Sequence, residues 1–295
     1  MNETLRRDAE IIVRRAIDAV KPDEAVRRAL EHVTLTGRIF LVAVGKAAWQ
    51  MAAAAVYQLE SPIHQGIVVT KYGHVMGDIP GCVCYEAGHP VPDENSFAAT
   101  EAVLAMTENL ADNDTVLFLL SGGGSALFEK PLIAPDILQD VTRKLLSGGA
   151  GITEINTIRK RLSAVKGGRF AQHCAPTKVE AVILSDILGD PLDMIASGPA
   201  YPDSTTCEQA IAIAKKYDLK VIYDAAHTFG VKYKDRGIGS FGDVSCFSFH
   251  ATKVFNTVEG GAVCFKSERF GKDLYNLKNF GIRGPEACAY IGGNA

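Results

Sequence analysis

The sequence predicts an α/β fold: a mostly parallel sheet sandwiched by helices, followed by a partial α/β fragment. Three observations predict it. Short unbroken apolar runs, such as Ile39–Val44 and Thr115–Leu120, have the length and composition of strands buried on both faces. Segments with helical spacing separate several of these runs, and alternation of this kind implies parallel strands covered by helices. After residue 217 the texture changes to many glycines with short β-branched and aromatic runs. The first part is therefore Rossmann-like.

Residues 3–20 suit an amphipathic helix, with Leu5, Ile12, Ala16 and Ala19 near helical spacing. A second helix starts at Pro22–Asp23, where proline fits a first turn. The strand Ile39–Val44 ends at Gly45 and leads into an alanine-rich helix over 47–59. Further strands are expected at 66–70, 82–85, 115–120 and 179–185, with helices near 96–110, 135–147 and 153–166. A helix over 207–217 then precedes strands at 220–223, 244–250 and 261–265.

The 295 residues fit two domains, and the balance of 47% hydrophobic to 22% charged is that of a globular protein. A net charge of −3 gives no general attraction to nucleic acid or to an anionic membrane. No apolar run approaches the ~20 residues that span a bilayer, and the charged N-terminus is unlike a secretory signal. The seven cysteines lack C-x-x-C spacing; they are expected to be reduced and mostly buried, which fits the cytoplasm. Cys82 and Cys84 would share one face of a strand.

In open α/β sheets ligands sit at the carboxyl ends of the strands. After Val44 come Gly45 and Lys46 at a helix start, where backbone N–H groups attract anions and the lysine adds a point charge. After Leu120 comes Ser121-Gly122-Gly123-Gly124-Ser125, whose glycines let backbone approach a ligand and whose serines are expected to donate hydroxyl protons. After Leu184 comes Asp186, with Asp190 soon after; carboxylates there suit Mg²⁺ held jointly with substrate phosphates. Asn156, Arg159, Ser163 and Lys166 would form one polar helical stripe, which is either a solvated face or a phosphate clamp. His89, in a loop between strand and helix, could serve a substrate hydroxyl. Together these features suggest phosphoryl transfer to a small anionic substrate, achieved by positioning and charge neutralisation.

The motifs 42–48, 70–74, 87–93, 120–126, 154–160, 162–168, 184–191 and 195–199, in that order along the chain, resemble the N-terminal domain of glycerate 2-kinases. The resemblance covers residues 1–217. It implies ATP and Mg²⁺ as cofactors, D-glycerate as substrate and a place for Lys46 in the active site; Lys46 and Asp186 are the expected catalytic residues. It also implies a second domain closing the cleft, whose motifs are not found here, so impaired activity is expected. No G-x-G-x-x-G fingerprint follows a strand, so a dinucleotide-dependent reductase is not supported.

Residues 218–295 resemble a different family. Asp224-Ala-Ala-His227, 239–243, Ser248-Phe-His-Ala-Thr-Lys253, 259–262 and 279–283 are similar to the fold-type I sugar aminotransferases that use pyridoxal phosphate. The resemblance implies that Lys253 forms the internal aldimine, Asp224 pairs the ring nitrogen, His227 lies against the ring and Ser248 contacts the phosphate. The family's other parts are not found, so a vestigial site is expected. The boundary falls within 207–220, where a helix followed by a strand would suit either family. Three readings stay open: a glycerate 2-kinase by descent, an aminotransferase-related chain, and a non-catalytic chimera. Apolar strand edges in the second part would favour a homo-oligomer.

Overall fold

The computed structural model describes residues 3–59, 62–185, 187–278, 282–284 and 287–288. It divides into two compact units, Met1–Ala210 and Ile211–Ala295.

The first unit opens with α1 (Glu3–Ala19) and α2 (Pro22–Leu30). Strand β1 (Ile39–Val44) follows, then α3 (Ala48–Gln58), β2 (Gln65–Lys71), β3 (Cys82–Ala87) and α4 (Glu94–Met106). Strand β4 (Thr115–Ser121) leads into the single turn α5 (Gly124–Leu127), then α6 (Pro135–Ser147), α7 (Ile152–Arg161), α8 (Arg169–His173) and β5 (Lys178–Leu184). The five strands form one sheet in the order β3-β2-β1-β4-β5, and every neighbouring pair is parallel. This is the parallel α/β architecture that the apolar runs predict.

Two-faced burial explains why β1 and β4 read as unbroken apolar runs. Phe40, Val42, Val44, Phe118 and Leu120 point to one face and pack with Val103, Phe128 and Phe170. Leu41, Ala43, Leu117 and Leu119 alternate with them and meet Val26, Met51, Ala52 and Ala55 of α2 and α3. On the first face Phe118, Phe128 and Phe170 form a ring cluster with centroids 5.0–6.0 Å apart. Helix α4 is started by Asp93, whose carboxylate accepts from the Ser96 N–H at 3.0 Å while Ser96 Oγ accepts from the Asp93 N–H. Helix α1 has no buried residue, so its apolar spacing forms a helix without a covering partner among the described residues.

The second unit begins within α9 (Cys207–Lys216). It continues with β6 (Ile222–Asp224), the ribbon β7 (Lys232–Tyr233) and β8 (Arg236–Gly237), β9 (Val244–Ser248), β10 (Gly261–Phe265), α10 (Glu268–Lys278), β11 (Ile282–Gly284) and β12 (Ala287–Cys288). Its main sheet has the order β10-β9-β6, with β6 parallel and β10 antiparallel to β9. Residues 279–281, part of the aminotransferase-like motif, lie outside the described residues. No helix among the described residues is long and apolar enough to cross a membrane. Cys82, Cys84, Cys174, Cys207, Cys246 and Cys264 are free, but only Cys174 among them is buried; the expectation of mostly buried thiols fails because Cys207 and Cys264 are exposed and the other three are half-buried.

Candidate active site

The strand order reverses direction between β1 and β4, and ligands bind outside the carboxyl ends of strands at such a switch point. The two turns leaving these strands are stitched together. The Lys46 N–H donates to the Gly122 carbonyl at 2.9 Å, and the Ala47 N–H to Ser121 Oγ at 3.1 Å. Gly45 takes φ 124°, and a Cβ there would lie 2.2 Å from Ser121 Oγ, so only glycine permits this approach.

Gly123, at φ 94°, joins three of the sequence candidates. A Cβ at this position would meet His89 Cδ2 at 3.0 Å, His89 Nε2 at 3.1 Å and Lys46 Cγ at 3.1 Å. Lys46, His89 and the glycine turn therefore converge on one spot. Burial, reinforced by the Lys46 and Lys71 charges, holds the His89 imidazole below its ordinary 6.5, so it is neutral at pH 7. The Lys46 carbonyl lies 3.1 Å from His74 Nδ1, whose own loop is tied by the His74 and Val75 N–H groups donating to Glu86.

Ser125 leads away from this spot. Its Oγ is 3.1 Å from Ser197 Oγ, Ser197 donates to Asn156 Oδ1 at 2.9 Å, and Asn156 Nδ2 donates to the Met194 carbonyl at 3.1 Å. Ser197 sits in a left-handed run, Ala196 at φ 50°, Ser197 at 64° and Gly198 at 61°. Non-glycine residues held there store strain of about 1–3 kcal/mol each, a cost found clustered at functional sites. The Ala196 methyl lies close enough to Gly124 that a Cβ on the latter would come within 2.7 Å. Ser197 was not among the sequence candidates; the Ser-Gly-Pro triplet at 197–199 was its only local signal.

The polar stripe on 153–169 takes a different form from either sequence expectation. Helix α7 ends at Arg161, so the helical spacing carried through Ser163 and Lys166 runs past the helix. Asn156, Ser163 and Lys166 are all buried. Lys166 does not face an incoming phosphate: its Nζ is 3.0 Å from Glu129 Oε2 and 2.7 Å from the Phe128 carbonyl, and burial pushes its ammonium below the ordinary lysine value. Lys160 is likewise fully buried, bridging Asp193 and Asp203 at 3.1 Å each. Arg159 is half-buried and borders a cavity with Ser125 and Glu129. Asp190 is exposed at φ 46°, and Asp186 lies outside the described residues.

In the second unit, Asp224 and Ser248 stand at the carboxyl ends of the parallel strands β6 and β9. Lys253 Nζ is 3.1 Å from His227 Nε2, and Asp224 accepts from the Ala226 N–H at 3.0 Å. Asp224 and His227 are exposed, and neighbouring Val254 is 90% exposed.

Residues 8–229 match the domain of unknown function DUF4147. The chain belongs to the DUF4147 family. Its DUF4147 region is 55% identical over 220 residues to the D-glycerate 2-kinase of Thermotoga maritima, covering 74% of this chain and 52% of that protein. It is 40% identical over 221 residues to the glycerate 2-kinase of Pyrococcus horikoshii, covering 70% and 49%. The crystal structure of a glycerate kinase from Thermotoga maritima superposes with a TM-score of 0.71 at 55% identity, covering 75% of this chain and 53% of that one. The chain spans about half the length of the curated relatives it matches. Residues 176–293 match the DegT/DnrJ/EryC1/StrS aminotransferase family, so the two matches overlap over 176–229. The two-part resemblance drawn from the motifs is thus present in the chain.

Two implied groups can be tested against the residues. Mg²⁺ is held by one or two carboxylates together with phosphates. Among the described residues no three His, Cys, Asp or Glu side chains converge, and the described Asp190 is solvent-facing in the DUF4147 loop after β5. Pyridoxal phosphate needs a Schiff-base lysine in a partly desolvated pocket. Lys253 and His227 are of the right type and touch, but the exposed Asp224, His227 and Val254 do not enclose a cofactor.

Proposed function

We propose that the DUF4147 region is the phosphate-handling half of a glycerate 2-kinase, which transfers a phosphoryl group from ATP to D-glycerate. One observation carries this: Lys46 and His89 pack against the same face of Gly123 at the sheet's switch point. Backbone N–H groups at the start of α3 and in the glycine turn favour anions, and the Lys46 ammonium offsets charge on the moving phosphoryl group. His89, neutral at pH 7, is suited to accept the proton of an attacking hydroxyl. The homology to glycerate 2-kinases supplies the substrate, and the domain boundary is placed within 207–220. A cytoplasmic setting agrees with free cysteines.

The test is ADP binding and ATP-dependent phosphorylation of D-glycerate by the purified chain and by Lys46→Ala. Loss of a charge-assisted contact should weaken nucleotide binding by about tenfold or more. A folded Lys46→Ala protein that binds ADP as tightly as the parent rejects the assignment. The 3.1 Å contact between Lys253 and His227 favours one second reading, an aminotransferase-related segment. Imine absorbance on adding pyridoxal phosphate, absent in Lys253→Ala, would support it; equal spectra would remove it.

A further inference from the structure

Helix α1 carries an apolar face with no cover among the described residues. None of its residues is buried, and Leu5, Ile12, Val13 and Ile17 stand 55–67% exposed. Helices in proteins owe most of their stability to the packing of such a face. A contiguous exposed apolar patch marks a surface that docks on something.

Each residue turns the helix by about 100°. This places Leu5, Ala9, Ile12, Val13, Ala16 and Ile17 on one side. Arg6 and Glu10 border one edge of the face, Asp8 and Arg15 border the other, and Ile11 falls among the charges behind. The bordering charges decide what fits. Asp8 and Arg15 are seven residues apart, about 10 Å along the axis, whereas pairing within a helix joins residues three or four apart. The ion pairs here join Arg14 to Glu10 and Lys21 to Asp18, and neither Asp8 nor Arg15 has one among the described residues.

An antiparallel copy related by a two-fold axis brings each edge of the face against the same edge of the other helix, and every contact occurs twice. With the axis midway between Asp8 and Arg15, Asp8 of each helix meets Arg15 of the other. Ile12 then lies against its own copy, and Ala9 stands opposite Val13, small against large. On the other edge Glu10 comes level with the partner's Arg14, beside the 2.7 Å pair that Glu10 and Arg14 already make within one helix. A parallel copy would set opposite edges together. Asp8 would then face Arg6 and Glu10 alike, so attraction and repulsion cancel, and Arg15 would face only Val13 and Ile17. A lipid surface matches less well, because the four arginines of α1 are offset by four carboxylates and leave no excess of positive charge.

We propose that α1 is a self-docking surface: a second copy of this chain lays its own α1 antiparallel across the apolar face, with Ile12 at the two-fold axis and Asp8 paired to the partner's Arg15. The assignment does not depend on the kinase reading.

The experiment is sedimentation velocity of the full chain over a series of concentrations up to the sub-millimolar range. The parent should shift with concentration from the mass of one chain toward that of two. Ile12→Asp sets two carboxylates against each other at the axis and should hold the chain monomeric. Helix α1 contains no aromatic residue, so a near-ultraviolet circular dichroism spectrum matched to the parent shows that the rest of the variant is folded. Asp8→Arg and Arg15→Asp each put like charges together twice and should each weaken the dimer by about threefold to tenfold. The double variant Asp8→Arg with Arg15→Asp restores opposite charges and should recover most of the parent's affinity. A parent that stays monomeric overturns the assignment. So does a dimer indifferent to Ile12→Asp, which would be held by another surface, or a double variant no tighter than the single ones. A chain that remains monomeric yet binds vesicles of phosphatidylcholine and phosphatidylglycerol through Ile12 assigns the face to lipid instead and also overturns it.

Discussion

The two units of this chain are built from similar local elements but hold them in different ways. In the first, the central strands β1 and β4 of the five-stranded parallel sheet have both faces covered, and Leu41, Val42, Phe118 and Leu119 are fully buried. In the second, the three-stranded sheet buries little: Ala225, Val244 and Ser245 are buried, whereas Val263 and Phe265 are 43% and 44% exposed and α10 has no buried residue. The second unit's Phe229, Phe249 and Phe255 do cluster, with centroids 4.5–5.2 Å apart. An aromatic cluster by itself leaves the rest of the sheet open. Secondary structure follows from local pattern, whereas stability requires layers on both sides of a sheet that contains parallel strands.

The largest expected contrast tests that lesson directly. Phe118→Ala, in the ring cluster with Phe128 and Phe170, should cost about 3–5 kcal/mol in chemical denaturation. Val263→Ala, on the exposed face of β10, should cost less than about 1 kcal/mol. Equal costs would break the comparison.

Next comes the buried polar layer of the first unit. Lys166→Met strands the buried Glu129 carboxylate and should cost about 3 kcal/mol or more, while adding Glu129→Leu should recover most of it. A double variant no more stable than the single one would show that the pair is not the reason for the loss.

The smallest effect is an acid limb. The Arg38 guanidinium beside Asp114 holds that carboxyl at about 2 rather than its ordinary 3.8. A depressed carboxyl contributes stability that is present above its ordinary value and lost as pH falls toward the folded one. Denaturation midpoints of the parent should therefore decline between about pH 4 and 2 more steeply than those of Arg38→Ala. Identical acid limbs would show that the pair adds nothing.

Much of the fold could be read from residues alone. Ile39–Val44, 135–147 and 261–265 have the bounds their patterns predict, because continuous apolar runs and helical spacing are local consequences of burial. The convergence of Lys46 with Gly123 was readable too, since strand ends in such sheets share one edge. The stretch 153–169 was not. Its spacing continues through Lys166, but α7 stops at Arg161, and the partners that bury Asn156 and Lys166 are Met194 and Glu129, far away in sequence. Glu129 carries no spacing signal at all. Ser125 was expected to donate toward a ligand, and its partner Ser197 reverses that direction.

The sequence by itself determined the strands of the five-stranded sheet, most helices, the glycine turns and the DUF4147 membership, because each depends on neighbours a few residues apart. Tertiary structure decided which polar groups are buried, which atoms carry the protons around Ser125, and where Glu129 stands. Those outcomes depend on burial and on hydrogen-bond partners brought together from distant parts of the chain, and no local pattern encodes such meetings.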